Sequence, residues 1–271
     1  NRFFKIIQME PINLSHSRAG TFCGRQIYYR DICKSKWADN YYTAMGHICE
    51  AGVNAELQNR MSGIEGRGIK EEMLKVMDDV LPRIIKEEER EQVRKEFEPA
   101  LKCVELYIDQ IDYTPLRVQE YFNFHMDGDD KKEHPVKGCV DIVAERNGYP
   151  LIIDLKRKKA PLKRDNYEYR MQVALYALWL IQARTLDKIP STEIHVMVSG
   201  KKTQIWNVNV TVEDIYEAIY RLRDLGWRLT NNYFPMARGH FLCSPKWCNF
   251  WDQCHIDNFQ GLDEMLTLIK P

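Results

Sequence analysis

Residues 136–158, VKGCVDIVAERNGYPLIIDLKRK, constrain this chain more than any other stretch. Val140, Ile142 and Val143 precede Asn147-Gly148, and Leu151, Ile152 and Ile153 follow it. Asn-Gly best supplies the positive φ angles of a two-residue turn, so the segment reads as a β-hairpin with two apolar strands. Asp154 and Lys156 lie two apart on the second strand and share a face. Asp141, on the first strand, reaches that face too. A solvated strand end is the ordinary place for such residues. Asp154, however, directly follows Leu151-Ile152-Ile153, a run that reads as a buried central strand, where an unpaired charge is costly. Two carboxylates and a lysine so placed suit metal-dependent phosphodiester cleavage. Hard oxygen ligands hold Mg²⁺, and an ammonium beside the metal positions or helps deprotonate the attacking water.

At 271 residues the chain can bury a sizeable core as one domain or as a domain plus a subdomain. It has no apolar run of about 18 residues, so no transmembrane helix is expected. The first residues, NRFFKIIQMEP, lack the apolar core and cleavage site of a signal peptide, which predicts an intracellular, cytoplasmic protein. The 39 basic and 39 acidic residues balance, which argues against a protein that coats nucleic acid but not against one local basic groove.

A helix is expected over 41–61, with Ile48, Val53 and Leu57 inward. Residues 70–111 read as helical and densely charged, with the stripe Val93, Phe97, Leu101, Val104 and Ile108 and with breaks at Pro82 and Pro99. VQEYFNF alternates like a strand and brings Glu120 near the hairpin, and Asp127 to Lys132 reads as a polar turn. From Lys156 to Arg170, seven basic residues stand against Asp165 and Glu168, a surplus suited to tracking phosphates, with a solvated loop as the bland alternative. Residues 169–184 form the most apolar helix, and Gln172 and Tyr176 lie on one face of it; such residues are ordinarily satisfied core polar groups. Two strands over 193–210 and a helix capped by Thr211-x-x-Asp214 complete a mixed α/β sheet flanked by helices.

Cys243, Cys248 and Cys254 are separated by four and five residues within HFLCSPKWCNFWDQCHI. Three thiols so close cannot all pair as disulfides, and metal ligation is the economical reading. Zinc usually takes paired knuckles, whereas cluster sites often have a three-cysteine run and one distant ligand.

Gly138-x-x-Asp141, the hairpin and Ile153-Asp154-Leu155-Lys156 resemble the core of the PD-(D/E)XK nuclease superfamily, especially its RecB-type exonuclease branch. Leu14, Ser15 and Ser17, then Cys23, Tyr28 and Tyr29, resemble the Leu-Ser-x-Ser and Cys-Pro-x-x-Tyr-x-Tyr opening of members with an iron–sulfur cluster, with Gly24 in place of the proline. That opening also predicts an N-cap serine leading into an aromatic-rich helix over 14–31. Gly46 with Glu50 matches the family's Gly-x-x-x-Glu helix, whose last residue reaches the metal; His47 is the second candidate. Gln172 and Tyr176 match Gln-x-x-x-Tyr on the helix after the Asp-x-Lys strand.

The resemblance implies one nuclease domain over 1–271, with a restriction-endonuclease-like core at 136–230, a helical insertion or subdomain at about 66–115 and a cysteine-stapled C-terminus at 235–258. It implies a DNA exonuclease acting on single strands or DNA ends, with helicase, recombination or CRISPR-adaptation partners. Mg²⁺ or Mn²⁺ is expected on Asp141, Asp154, the Leu155 carbonyl and Glu50. Lys156 is expected to orient the water, Gln172 to support the site, and Tyr176, Lys158 and Lys159 to meet the DNA. Cys23, Cys243, Cys248 and Cys254 resemble the [4Fe–4S] staple of AddB and CRISPR-adaptation nucleases, which more often have two residues between the second and third cysteines. Zinc is the alternative metal and Cys33 the alternative first ligand; otherwise Cys33, Cys49, Cys103 and Cys139 are expected to be buried thiols. Two other classes stand beside this reading. A non-cleaving DNA-end-binding module conflicts with the intact Asp, Asp, Lys set, and a zinc-stapled scaffold would lack the brown colour of iron.

Overall fold

The computed structural model describes residues 14–15, 23–29, 33, 39–64, 66–127, 133–163, 166–184, 186–198, 201–231, 233–234, 243, 248 and 250–254. The chain begins with β1 (Leu14–Ser15) and a single helical turn, α1 (Gly24–Ile27). Next come α2 (Tyr41–Ser62), α3 (Ile69–Val80), a 3₁₀ turn at Leu81–Arg83 and α4 (Glu87–Ile108). β2 (Thr114–Asp127), β3 (Glu133–Arg146) and β4 (Tyr149–Lys158) follow, then α5 (Tyr167–Arg184), β5 (Ser191–Val198), β6 (Gln204–Asn207) and α6 (Val212–Thr230). One compact unit takes in residues 39–226 with β1, and a second takes in the described residues among 21–38 and 227–271. Among the described residues no helix is long and apolar enough to cross a membrane.

Asn147 and Gly148 adopt φ angles of 54° and 78°, the left-handed conformation that the two-residue turn demands. The turn fixes register, with Arg146 opposite Tyr149 and Ile142 opposite Ile153. β3 is the centre of the sheet: β2 runs antiparallel along one edge, and β1, parallel, and β4, antiparallel, share the other. β4 is parallel to β5, as the α5 crossover allows, and β5 is antiparallel to β6. The sheet is therefore mixed and carries helices, as the order of elements predicts.

α2 starts where the Asn40 side chain accepts from the Tyr42 and Thr43 N–H groups and Thr43 Oγ1 accepts from Asn40 N–H, and it ends at Gly63, φ 65°. Ile48, Val53 and Leu57 are buried as predicted. They share one core with Met73 of α3, with Val93, Phe97 and Val104 of α4, and with Ile142 and Ile153 of the hairpin. Each such side chain contributes roughly 1.5–3 kcal/mol on leaving water. α6 is capped as expected: Thr211 N–H donates to Asp214 Oδ2 and Asp214 N–H to Thr211 Oγ1.

Three local expectations change. Pro82 does end α3, but α4 runs unbroken through Pro99, because buried residues on both sides of it, Val93 and Phe97, then Leu101 and Val104, hold one face on the core despite the missing hydrogen bond. Leu14 and Ser15 pair with Val136 and Lys137 as a strand instead of capping a helix. Among the described residues of the helix expected over 14–31, only 24–27 are α-helical, followed by a π turn at 28–29. Ser17, the Ser199-Gly200 turn and most of the 127–132 turn lie outside the described residues.

At the turn end of the hairpin a buried carboxylate is fully served. Arg146 Nη1 and Nη2 donate to Glu193 Oε1 and Oε2 at 2.5 and 3.1 Å, and Arg146 Nη2 also reaches Asp112 at 2.7 Å. A carboxylate only accepts, so His195 Nε2–H donates to Glu193 (2.7 Å). In the neutral ring Nδ1 then accepts from Tyr107 O–H (3.0 Å), which in turn accepts from Tyr113 (2.8 Å). Burial opposes the Glu193 charge, but the His195 and Arg146 hydrogen bonds outweigh it and hold the carboxyl down to about 2. A lowered folded-state value means stability that is complete above the unfolded value near 4.5 and is lost as pH falls toward 2. Glu193→Gln should therefore destabilise at pH 7 by on the order of 2–3 kcal/mol and flatten the acid limb of the stability curve. Denaturant midpoints measured from pH 2 to 7 check this; an unchanged acid limb would remove Glu193 from the account.

Candidate active site

The open end of the same hairpin is its opposite in character. One step beyond the Ile142–Ile153 pair stand Asp141 and Asp154. Asp154 is 0% exposed, and neither of its carboxylate oxygens has a hydrogen bond of good geometry among the described residues. Lys156 Nζ lies 2.6 Å from Asp154 Oδ2, a charge contact outside directional hydrogen-bond geometry. The Lys156 side chain is 21% exposed. Asp141 Oδ2 accepts from Leu155 N–H at 2.7 Å. An extended residue sends its N–H and C=O to the same edge, so the Leu155 carbonyl also faces the Asp141 side.

The charges are strained against one another. Burial first, then the Asp154 charge and that of Glu50, push the Asp141 carboxyl well above the usual carboxylate range, with Lys156 and the Leu155 N–H opposing. For Lys156, burial alone would lower the ammonium, but Asp154 and Asp141 outweigh it and hold the group above its ordinary value. Glu50, half-buried on α2, accepts from Gln119 Nε2 at 3.0 Å. His47 is exposed in a cleft that Glu50 also lines. The structure thus brings together Asp141, Asp154, Lys156 and Glu50. Glu120 forms an ion pair with Arg117.

Gln172 Nε2 donates to Tyr176 Oη at 2.6 Å on α5. Burial and the charges of Asp141 and Asp154 raise the Tyr176 phenol well above its usual range. Tyr176 has no exposed surface, and its ring meets Phe122 edge-on at 6.0 Å. It cannot meet a DNA strand from there, so the expected substrate contact is corrected to a buried support behind the carboxylates. Lys156 and Lys158 both lie over the Tyr169 ring, at 5.3 and 5.5 Å, and Lys159 lies over Tyr41 and Tyr42, at 4.7 and 5.9 Å.

Sequence reasoning missed these aromatic partners, although the helical periodicity that exposes Tyr42 was available. It also missed Gln119, which holds φ 51° inside β2. A left-handed glutamine costs about 1–2 kcal/mol, and no sequence pattern announces it.

In the second unit, Tyr29, Phe250 and Cys254 form a small core with Tyr28 and Cys248 against it. Burial raises the Cys254 thiol; Arg25 opposes, and Cys23, Cys248 and Cys243 add to the rise. Gln26 Nε2 points at Cys248 Sγ, 3.9 Å away. None of the eight cysteines is in a disulfide. Cys49 and Cys103 are buried as expected and Cys139 is half-buried, whereas Cys33 is exposed just beyond the π turn. Among the described residues no three His, Cys, Asp or Glu side chains close to metal-holding distance. An ion such as Mg²⁺ is bound by one or two carboxylates and keeps several waters. The buried Asp154 oxygens without hydrogen bonds fit such a cation.

Fold and site define a class: a mixed α/β protein with an acidic, lysine-flanked site at the open end of its central hairpin. The profile of the PD-(D/E)XK nuclease superfamily matches residues 13–255, and the chain belongs to that superfamily. Among solved structures, a protein from Eubacterium rectale whose name carries a provisional exonuclease assignment superimposes with a TM-score of 0.58, at 14% identity over 90% of this chain and 88% of that one. The structure of SSO0001 gives a TM-score of 0.44, at 11% identity over 82% of this chain and 78% of that one. A comparison with curated proteins finds no match.

A raised Asp141 implies stability that is complete below the unfolded carboxyl value near 3.8 and is lost as pH rises toward the folded value. In metal-free protein at pH 7, Asp141→Asn keeps an acceptor for the Leu155 N–H but removes one of two crowded charges. It should therefore stabilise by on the order of 1–2 kcal/mol, while the gain in melting temperature that Mg²⁺ gives the native chain should shrink. Thermal melts with EDTA and with Mg²⁺ decide it; a lower metal-free melting temperature in the variant would contradict the crowding.

Proposed function

We propose that the chain is a metal-dependent deoxyribonuclease, an exonuclease acting on single-stranded DNA or DNA ends. The observation that carries this reading is Asp154, a fully buried carboxylate beside Asp141 with a partly exposed lysine two residues on. Asp141, Asp154, the Leu155 carbonyl and Glu50 would hold Mg²⁺ or Mn²⁺, with His47 the alternative on α2. A bound ion supplies charge neutralisation at the scissile phosphate. Lys156 donates hydrogen bonds that orient the hydrolytic water, and its contact with Asp154 fixes where those donors point. Gln172 acts through Tyr176, packing the wall behind both aspartates. Lys158 and Lys159 continue β4 toward the backbone phosphates, and Tyr42, 54% exposed, offers a ring on which any base can stack. Attack on phosphorus needs positioning and charge neutralisation more than a covalent nucleophile, so no activated serine or cysteine is required.

The same proposal divides the chain into a core at 136–230, a helical segment at 66–115 and a cysteine segment at 235–258, in an intracellular protein. A helicase, recombination or CRISPR-adaptation partner rests on the sequence resemblance alone. Cys23, Cys243, Cys248 and Cys254 would hold a [4Fe–4S] cluster. Supporting this are Cys23, Cys248 and Cys243 among the groups that raise the Cys254 thiol; the exposed position of Cys33 supports Cys23 as the N-terminal ligand. Cys23 and Cys243 are 220 residues apart in sequence, and a crosslink closing so long a loop contributes roughly 4–5 kcal/mol.

End-labelled single- and double-stranded DNA, incubated with Mg²⁺ or Mn²⁺ and run on a denaturing gel, tests the activity. The native chain should shorten single strands from an end, and Asp154→Asn or Lys156→Ala should slow cleavage by on the order of 10²-fold or more while DNA binding survives. Native-like turnover in either variant would dismiss the assigned site.

Iron per chain after anaerobic purification tests the cluster. Cys248→Ala and Cys23→Ala should lose iron and melt far lower, and Cys33→Ala should keep it. The opposite pattern at 23 and 33 would reassign the N-terminal ligand, and zinc in place of iron would replace the cluster with a zinc staple.

A further inference from the structure

A cleft of about 630 Å³ opens beside Glu50, bounded by α2, α3 and Gln119 of β2. Its α2 wall is the stripe Glu50, Ala51, Asn54, Ala55 and Gln58, spaced three and four apart so that all five share one side of the helix. The alanines leave room that larger side chains would fill, and Val76 and Val80 give the α3 side an apolar lining. Asn54 is 6% exposed, yet its Oδ1 has no hydrogen-bond partner among the described residues. A buried amide left unpaired calls for an explanation, and a partner from outside the chain is one that the adjoining cleft supplies. Gln119 closes the end nearest Glu50, in its left-handed conformation and with its amide on the Glu50 carboxylate.

Charge decides what can enter. Glu50, Glu72 and Asp79 line the cleft against Arg67 and Arg83, and Arg67 is already engaged by Glu72 at 3.0 Å. A phosphate deep in the cleft would meet an excess of carboxylates, whereas a neutral, planar, polar group would not. The Asn54 and Gln58 amides each offer both a donor and an acceptor, as the edge of a base requires. The volume lies in the range of small-ligand sites. Building on the nuclease reading above, we propose that this cleft receives one unstacked nucleobase of the strand whose phosphate lies at Asp141 and Asp154, and that Asn54 and Gln58 read its edge. A base within a duplex enters only after unpairing, so the cleft makes the site selective for single strands.

Short single strands carrying 2-aminopurine at successive positions, titrated into the native chain in Ca²⁺, test this. Ca²⁺ takes oxygen ligands as Mg²⁺ does, and a gel verifies that the strands stay intact. One position should brighten as its base leaves the stack, and an abasic site there should weaken binding about five- to tenfold, the worth of one or two hydrogen bonds. Asn54→Leu should bind the base-bearing strand as weakly as the abasic one and brighten no position. Its melting temperature should hold or rise, because it removes an unpaired buried oxygen. Gln58→Ala, at an exposed position, should show a smaller loss in the same direction. Binding and brightening at the native level in Asn54→Leu would overturn the proposal, as would free nucleoside monophosphates that compete as well as the strand does. A native chain that cuts no strand with Mg²⁺ or Mn²⁺, yet loses base-dependent binding on Asn54→Leu, would overturn the nuclease reading and keep the cleft.

Discussion

Two carboxylates side by side repel unless a cation joins them, and the hairpin is built to hold the half-buried Asp141 against the fully buried Asp154. Asn147 and Gly148 set the register that puts them together. The Leu155 N–H then anchors one carboxylate, and Lys156 faces the other. The contrast with the turn end of the hairpin is instructive, because Glu193 is buried too. There, His195 and Arg146 supply the donors and the carboxyl is held down to about 2, while Asp141 is driven upward. One sheet thus carries acids in opposite states. The satisfied acid ties β5 to the hairpin; the crowded pair costs stability, a cost that the divalent ion of the proposed function would offset.

α2 sets the spacing around that pair. Tyr41 and Tyr42 open it beneath Lys159, Glu50 comes eight residues after Tyr42, and Asn54 and Gln58 follow on the same side as Glu50. At 1.5 Å per residue the exposed tyrosine and Glu50 are about 12 Å apart along the helix axis. The helix can hold such spacing because its other side is locked in the core by Ile48, Val53 and Leu57, with Met73 of α3 against them. Gly52 permits this: a Cβ there would sit 2.8 Å from the Met73 side chain. Close helix packing and a polar, small-residue stripe on the open side are therefore one design. The strained Gln119 adds a cross-link from β2 to Glu50.

What was legible in the sequence was local. The hairpin, the ends of α2 and α6 and the α4 stripe depend on neighbours within a few residues, and each shows in its pattern. Glu50 and Gln172 were singled out by the resemblance to the family's helix motifs, not by any local pattern. What stayed hidden depends on distant partners. Pro99 is carried through α4 by a core assembled from three helices and a sheet, which the local rule for proline does not see. Leu14 and Ser15 pair with residues 136–137, more than a hundred positions away. Tyr176 carries the spacing of a contact residue but is sealed beneath Phe122 and Gln172. Gln119 combines a left-handed backbone with a side-chain bond to Glu50, 69 residues earlier.

Tyr169 joins the carboxylate site to the basic stretch. Its ring receives Lys156 on one hand and Lys158 on the other, so a lysine of the carboxylate site and a lysine of the basic stretch rest on one aromatic group. Lys156 is pulled toward Asp154, while the ring face attracts the same ammonium from a second direction. Two attractions acting together restrict a flexible four-carbon side chain that either alone would leave several rotamers. Lys158 lies two residues further along β4 and so projects on the same face as Lys156. In the nuclease function proposed above, a phosphate backbone drawn along that face toward Lys158 would be led to the ammonium and the two aspartates, a direction of approach that the period of the strand sets.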